Sequence, residues 1–229
     1  QSGVGRIFKK TDSALRGHVE AELRALMDVL GLFRTLFLPE NPSKGRTVKD
    51  GIYRIGGQPL NETSFAFDPE FPARCADVAG YYSDVSSLRL DEAMPSEGIC
   101  LADAESKADV VAQLRKADAD CLVAGAADLF EACLEAEGFV LRPHVPFAGL
   151  GMRRALVVCG STASRTLDEY PYVRRMRMAT ESMPSDVFEG ASPTTWYARL
   201  QQVYRTDGSL IMTVGHPSKG GKAFALRLR

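Results

Sequence analysis

Val19, Leu23, Leu26, Met27 and Leu30 recur at helical spacing and Gly31 follows as a stop signal, so the sequence predicts a helix over residues 17–31. Short apolar runs at 6–9 and 33–38 flank it and read as strands, the second ended by Pro39 and Pro42. The alternation resumes with a strand at 97–101, a helix at 107–116, a strand at 121–123 and a helix at 126–137. It continues with a strand at 155–159, a helix at 193–204 and a strand at 209–214. Strand and helix in alternation predict an α/β fold: a mostly parallel sheet with flanking helices, Rossmann-like and three-layered. Residues 40–72 break the rhythm, with Gly45, Gly51, Gly56, Gly57, Pro59 and Pro69 separating short extended pieces, of which 52–55 is the best strand. A stretch this long without a helix points to a functional segment. Two prolines and two glycines at 143–152 read as a linker. The expected organisation is a first domain over 1–148 and the start of a second α/β domain over 149–229.

Composition narrows the function classes. Of the 229 residues 45% are hydrophobic and 25% charged, an ordinary globular balance, and the net charge of -1 provides no general field to attract nucleic acid or a membrane surface. The richest apolar stretch, 23–38, is broken by Arg24, Asp28 and Arg34, too early to span a bilayer. The first ten residues are polar and end in Lys9-Lys10, unlike a secretory leader, and the five cysteines are odd in number and widely spaced. Reduced thiols in a cytoplasmic protein are therefore expected. His18, His144 and His216 share no ligand spacing, so no protein metal site is expected from them. Arg174, Arg175 and Arg177 read as a solvated basic face, and Gly3-Val4-Gly5 lacks the strand and third glycine of a dinucleotide fingerprint.

Candidate chemistry concentrates in Lys9-Lys10-Thr11-Asp12-Ser13-Ala14-Leu15-Arg16-Gly17, between a predicted strand and a predicted helix. Ligands of open α/β sheets lie at the carboxyl ends of the strands. Cations, a carboxylate and hydroxyls there suit a small polyhydroxy acid: Arg16 can grip a carboxylate with two parallel hydrogen bonds, Lys10 adds a point charge, and Asp12 can accept from hydroxyls. The alternative is that Asp12 or Ser13 caps the helix and the basic residues are merely solvated.

This segment resembles the signature of the four-carbon acid-sugar kinases, with Ala14 in place of the family's threonine and His18 in place of its asparagine. Further along, Gly45-Arg46-Thr47-Val48, Asp50-Gly51, Pro59-Leu60-Asn61-Glu62-Thr63 and Phe65-Ala66-Phe67-Asp68-Pro69 are similar to its middle section. Leu101-Ala102-Asp103-Ala104, Ala124-Gly125-Ala126-Ala127 and Val158-Cys159-Gly160-Ser161 follow in the family's order. The resemblance implies an ATP-dependent kinase acting, with Mg²⁺, on a hydroxyl of a threonate, erythronate or oxo-tetronate. It implies Lys10, Thr11, Asp12, Ser13, Arg16 and Arg46 as substrate contacts, Asp12 as the catalytic candidate, and Gly160 and Ser161 as nucleotide contacts. The family's Asp-Asp-x-Thr-Gly-Ala motif does not precede Lys9 here, and 216–222 is neither its glycine-rich segment nor a Walker loop. The expectation is a kinase fragment trimmed at both ends, with sugar acid and ATP as partners, no nucleic acid or membrane partner, and a homodimer left open. A non-catalytic sugar-acid-binding protein is the alternative.

Overall fold

The computed structural model describes residues 7–68, 70–142, 154–160 and 178–213. The chain divides into two compact units, residues 1–143 and 144–229. In chain order the first unit runs β1 (Phe8–Lys10), α1 (Val19–Leu30), β2 (Arg34–Leu38), β3 (Arg46–Lys49), β4 (Ile52–Ile55), β5 (Gln58–Pro59), α2 (Val78–Tyr81), β6 (Val85–Leu88), β7 (Gly98–Ala102), α3 (Lys107–Leu114), β8 (Cys121–Gly125) and α4 (Ala127–Ala136). Five of these strands form one parallel sheet in the order β1-β8-β2-β7-β6.

Both faces of this sheet are covered, which explains the near-continuous apolar runs of its central strands. Phe37, Ile99, Leu101, Leu122 and Ala124 point to one side, where they pack with Val19, Leu23 and Met27 of α1. Leu36, Leu38, Cys100, Ala102, Cys121 and Val123 point to the other, against Val110 and Leu114 of α3 and Leu129, Ala132 and Cys133 of α4. The period of two along each strand thus feeds two cores. Among the described residues no cysteine forms a disulfide, and burial pushes the Cys121 thiol up to about 11. The α/β, three-layer fold expected from the alternation is the one found.

Helix α1 ends where the sequence stops it: Gly31 takes φ 67, and the N–H groups of Gly31 and Leu32 reach back to Asp28 and Met27. Within 40–72 the chain forms an antiparallel ribbon, β3-β4-β5, which packs Val48 and Tyr53 onto the α1 side of the sheet. The ribbon is tied to the end of β7 by the hydrogen bond from Val48 N to Ala104 O at 3.1 Å. Within the ribbon the predicted strand at 52–55 is β4, whereas β3, β5, β6 and α2 do not follow from the apolar periodicity. β6 reads Val-Ser-Ser-Leu and lies at the sheet edge with both serines exposed, so it carries half the usual strand signal.

The second unit holds β9 (Ala155–Cys159), β10 (Ala179–Ser182), α5 (Ser185–Glu189), α6 (Thr194–Asp207) and β11 (Ser209–Thr213). Its strands form a parallel sheet in the order β10-β11-β9. Met183, Trp196, Leu200 and Leu210 make its core. No helix among the described residues is long and apolar enough to cross a membrane.

Candidate functional site

The loop after β1 is built around Asp12. Thr11 N extends the sheet by bonding Gly125 O at 2.9 Å, and the chain then turns. Asp12 Oδ2 accepts from the amides of Ala14 (2.9 Å) and Arg16 (3.3 Å) and from Arg16 Nε (3.1 Å), while Oδ1 accepts from Arg16 Nη2 at 2.9 Å. This hold keeps Leu15 at φ 63, a left-handed conformation unusual for leucine, with its side chain buried in the α1 core. Partial burial raises the Asp12 carboxyl, but the Arg16 side chain and the two amides outweigh it and hold it below the usual carboxylate range. The Asp12 hydrogen bond raises the Arg16 guanidinium in turn. Asp12 does not cap α1, whose N-cap position is His18.

A second set of contacts brings the ribbon to this loop. Arg46, at the start of β3, donates through Nη1 to Ser13 Oγ at 2.5 Å, and the buried Tyr53 of β4 donates through its hydroxyl to Ser13 O at 2.5 Å. The guanidinium carbons of Arg16 and Arg46 lie 5.5 and 5.4 Å from the centroid of the Phe65 ring. Asp68, one turn beyond Phe65, adds a second carboxylate to Arg16 at 3.4 Å. Burial raises the Asp68 carboxyl, but the amides of Phe71 and Glu70, with Arg16, bring it below its ordinary value. Arg46 has no carboxylate partner among the described residues, so of the two guanidiniums on this ring it is the uncompensated one.

Acidic groups sit at the carboxyl ends of the neighbouring strands. Asp103, just after β7, accepts from the amides of Asp50 and Gly51 at 2.7 and 3.1 Å and so fixes the β3–β4 turn. Asp128 of α4 accepts from Ser43 N and Oγ at 2.8 and 2.6 Å, and its own amide donates to Asn41 Oδ1 at 3.0 Å. Glu40, two residues past β2, is fully buried, and neither carboxylate oxygen has a hydrogen-bond partner among the described residues. Burial first, then Asp103 and Asp128, pushes its carboxyl well above the usual range.

The structure therefore brings Thr11, Asp12, Ser13, Arg16 and Arg46 into one cluster at the carboxyl end of β1. Lys10 adjoins it, exposed, with its ammonium bonded to Thr11 O. Thr11 Oγ1 is buried and without a partner among the described residues. In this arrangement Asp12 has its oxygens occupied by amides and by Arg16, which makes it an organiser of the loop and a poor proton acceptor. Gly160 directly follows β9 and is exposed. Ser161, the 174–177 basic run, the Gly3-Val4-Gly5 segment, His144, His216 and the 216–222 loop lie outside the described residues. Sequence reasoning missed Tyr53 and Glu40 as neighbours of the site. Phe65 and Asp68 lay inside a quoted segment but carried no assigned role, because nothing local signals that this ring meets two arginines, both distant from it along the chain.

Comparisons with known proteins bear on the family and the fold. Residues 1–129 match the model of a sugar-binding N-terminal domain. A D-threonate kinase of Salmonella typhimurium is 31% identical over 185 residues, which is 70% of this chain and 41% of that protein. A D-threonate kinase of Bordetella bronchiseptica is 32% identical over 119 residues, 48% of this chain and 29% of that protein. The chain thus spans less than half the length of the curated relatives it matches. Among solved structures, a domain of unknown function from Bordetella bronchiseptica, a domain-swapped dimer with bound citrate, aligns with TM-score 0.51 at 23% identity over 99% of this chain and 61% of that one. A Salmonella typhimurium protein described as a candidate tRNA synthase aligns with TM-score 0.60 at 18% identity, over 98% of this chain and 59% of that one. At such identities these two structures speak for the fold alone. With the family model covering more than half of the residues, the chain belongs to the four-carbon acid-sugar kinase family, of which it carries the sugar-binding N-terminal domain.

Proposed function

We propose that the first unit holds a four-carbon sugar acid of the threonate, erythronate or oxo-tetronate type for ATP-dependent phosphorylation of one of its hydroxyls. The observation that carries this reading is Arg46: a half-buried guanidinium, ordered by Ser13 and Phe65, with no carboxylate of the described chain to neutralise it. A guanidinium in that state is suited to a ligand carboxylate. Arg16 differs, since its fork is already shared between Asp12 and Asp68. The division of labour is then that Arg46, with Lys10 as an added charge, takes the carboxylate, and Ser13 faces the hydroxyls, while the buried Thr11 ties the loop to β8 through its amide. Asp12 and Arg16 keep the loop in shape. Phosphoryl transfer depends on positioning and charge neutralisation more than on covalent chemistry, which a rigid cluster of this kind supplies on the acceptor side.

ATP would supply the phosphoryl group, and the second unit is the proposed place for it, around Gly160 and Ser161. The support is that Gly160 lies at the carboxyl end of a parallel strand, where phosphates bind in α/β sheets. Among the described residues no group of three histidine, cysteine, aspartate or glutamate side chains could hold a metal ion, so no step is assigned to Mg²⁺. A homodimer belongs to the same proposal, the Bordetella structure being a domain-swapped dimer, and sedimentation reads it directly.

The relatives' names make D-threonate the first substrate to try. The test is phosphate transfer from ATP to D-threonate, D-erythronate and an uncharged tetritol by the complete protein, wild type and Arg46→Gln. Losing one charge-assisted hydrogen bond of about 1.5–3 kcal/mol is expected to raise KM for the acid about 10- to 100-fold. Equal turnover of the acid and the tetritol would remove the carboxylate from the account.

A further inference from the structure

We propose that Phe65 is a positioning residue that holds the guanidinium groups of Arg16 and Arg46 in place before any ligand arrives; the inference rests on the sugar-acid reading of this cluster. The ring is itself well anchored. Phe65 N donates to Thr63 Oγ1 at 3.3 Å, and its carbonyl accepts from Asp68 N at 3.2 Å and from Ala73 N at 2.9 Å. The side chain packs against the core that contains Tyr53 and Leu60. From this fixed point the segment 63–68 holds Arg16 twice, through the ring and through Asp68, and holds Arg46 once, through the ring.

Arginine is costly to order. Its long side chain loses rotamer freedom whenever it grips an anion, and a surface that fixes it beforehand lowers that cost at the moment of binding. An aromatic face serves cations in particular, because its negative quadrupole attracts the guanidinium without satisfying its N–H donors. A carboxylate would hold Arg46 as well, but would also occupy it. The ring therefore does for Arg46 what Asp12 and Asp68 do for Arg16, and leaves Arg46 able to bind an acid. Phe65 need not touch the ligand to do this.

The experiment compares Phe65→Leu and Phe65→Tyr with wild type in the complete protein, measuring D-threonate Kd and KM, kcat with ATP, Tm, and the side-chain Nε–H resonances of Arg16 and Arg46 without ligand. Removing contacts of cation–π strength predicts Kd and KM about tenfold higher in Phe65→Leu. Little change in kcat is expected, with near wild-type values in Phe65→Tyr, which keeps the ring. Both arginine resonances are expected to move in Phe65→Leu, as the ring current is lost, and to stay in Phe65→Tyr. The proposal is overturned if Phe65→Leu binds D-threonate as tightly as wild type, or if loss of binding comes with loss of Tm and Phe65→Tyr does not restore it. If wild type binds no D-threonate, the functional reading fails by itself. The arginine resonances then still decide the positioning role: unmoved in Phe65→Leu, they reject it.

Discussion

A carboxyl group buried in a protein interior is far from its solution state, and Glu40, whose oxygens have no hydrogen-bond partner among the described residues, is such a group. Burial and the nearby Asp103 and Asp128 favour its neutral form, and Tyr53, a further titratable side chain in its field, is itself pushed up, by burial and then by Glu40. The sign of its effect on stability follows. The folded pKa lies above the unfolded value of 4.5, so between the two the folded chain keeps a proton that the unfolded chain has released. Its contribution to stability is therefore complete below about pH 4.5 and is lost as pH rises through the folded pKa. Glu40→Gln, a neutral isostere of the protonated acid, is expected to raise Tm at pH 8 and to match wild type near pH 4.5. Thermal melts of both proteins across that range check it, and parallel curves would contradict it. The same scale explains Asp12 and Arg16. Both are partly exposed, 31% and 42% at the side chain, so their ion pair contributes no more than about 1 kcal/mol to stability. Its value is geometric, in holding a left-handed Leu15 and a defined loop.

The elements of the sheet were legible because their signal is local. Leu36 to Leu38 and Cys121 to Ala124 are apolar on both faces, as strands between two helical layers must be. Capping and stop signals bounded α1 at Gly31. Of the ribbon only β4 was legible, as the strand at 52–55; β3, β5 and the pairing were not, since the ribbon's strands pair with each other and its anchor, Ala104, is distant in sequence. The site was half legible for the same reason: Lys10 to Arg16 is one continuous motif, whereas Tyr53, Phe65 and Asp68 reach it only through the ribbon and the turns that follow. Gly125 joins the two levels. It closes β8, accepts the bond from Thr11, and approaches β2 so closely that an added Cβ would overlap the Leu38 carbonyl oxygen and come within 2.8 Å of Leu129 Cδ2. Gly125→Ala is expected to destabilise the protein by about 3 kcal/mol, read as a lower urea midpoint. A change under 0.5 kcal/mol would show that β8 and β2 can part without cost.

At the scale of the whole molecule the chain holds two units, each with its own parallel sheet and core. Fold alone does not assign chemistry. The proposed chemistry rests on a family model over residues 1–129 together with Arg46, which has no carboxylate partner among the described residues. In the proposed function the units divide the work, with sugar acid on the first and ATP on the second. That division is measurable by calorimetric titration of the chain with D-threonate, repeated with Arg46→Gln. Saturable binding of one D-threonate per chain is expected, about 10- to 100-fold weaker in the variant. Absence of D-threonate binding, or binding that Arg46→Gln leaves unchanged, would contradict it.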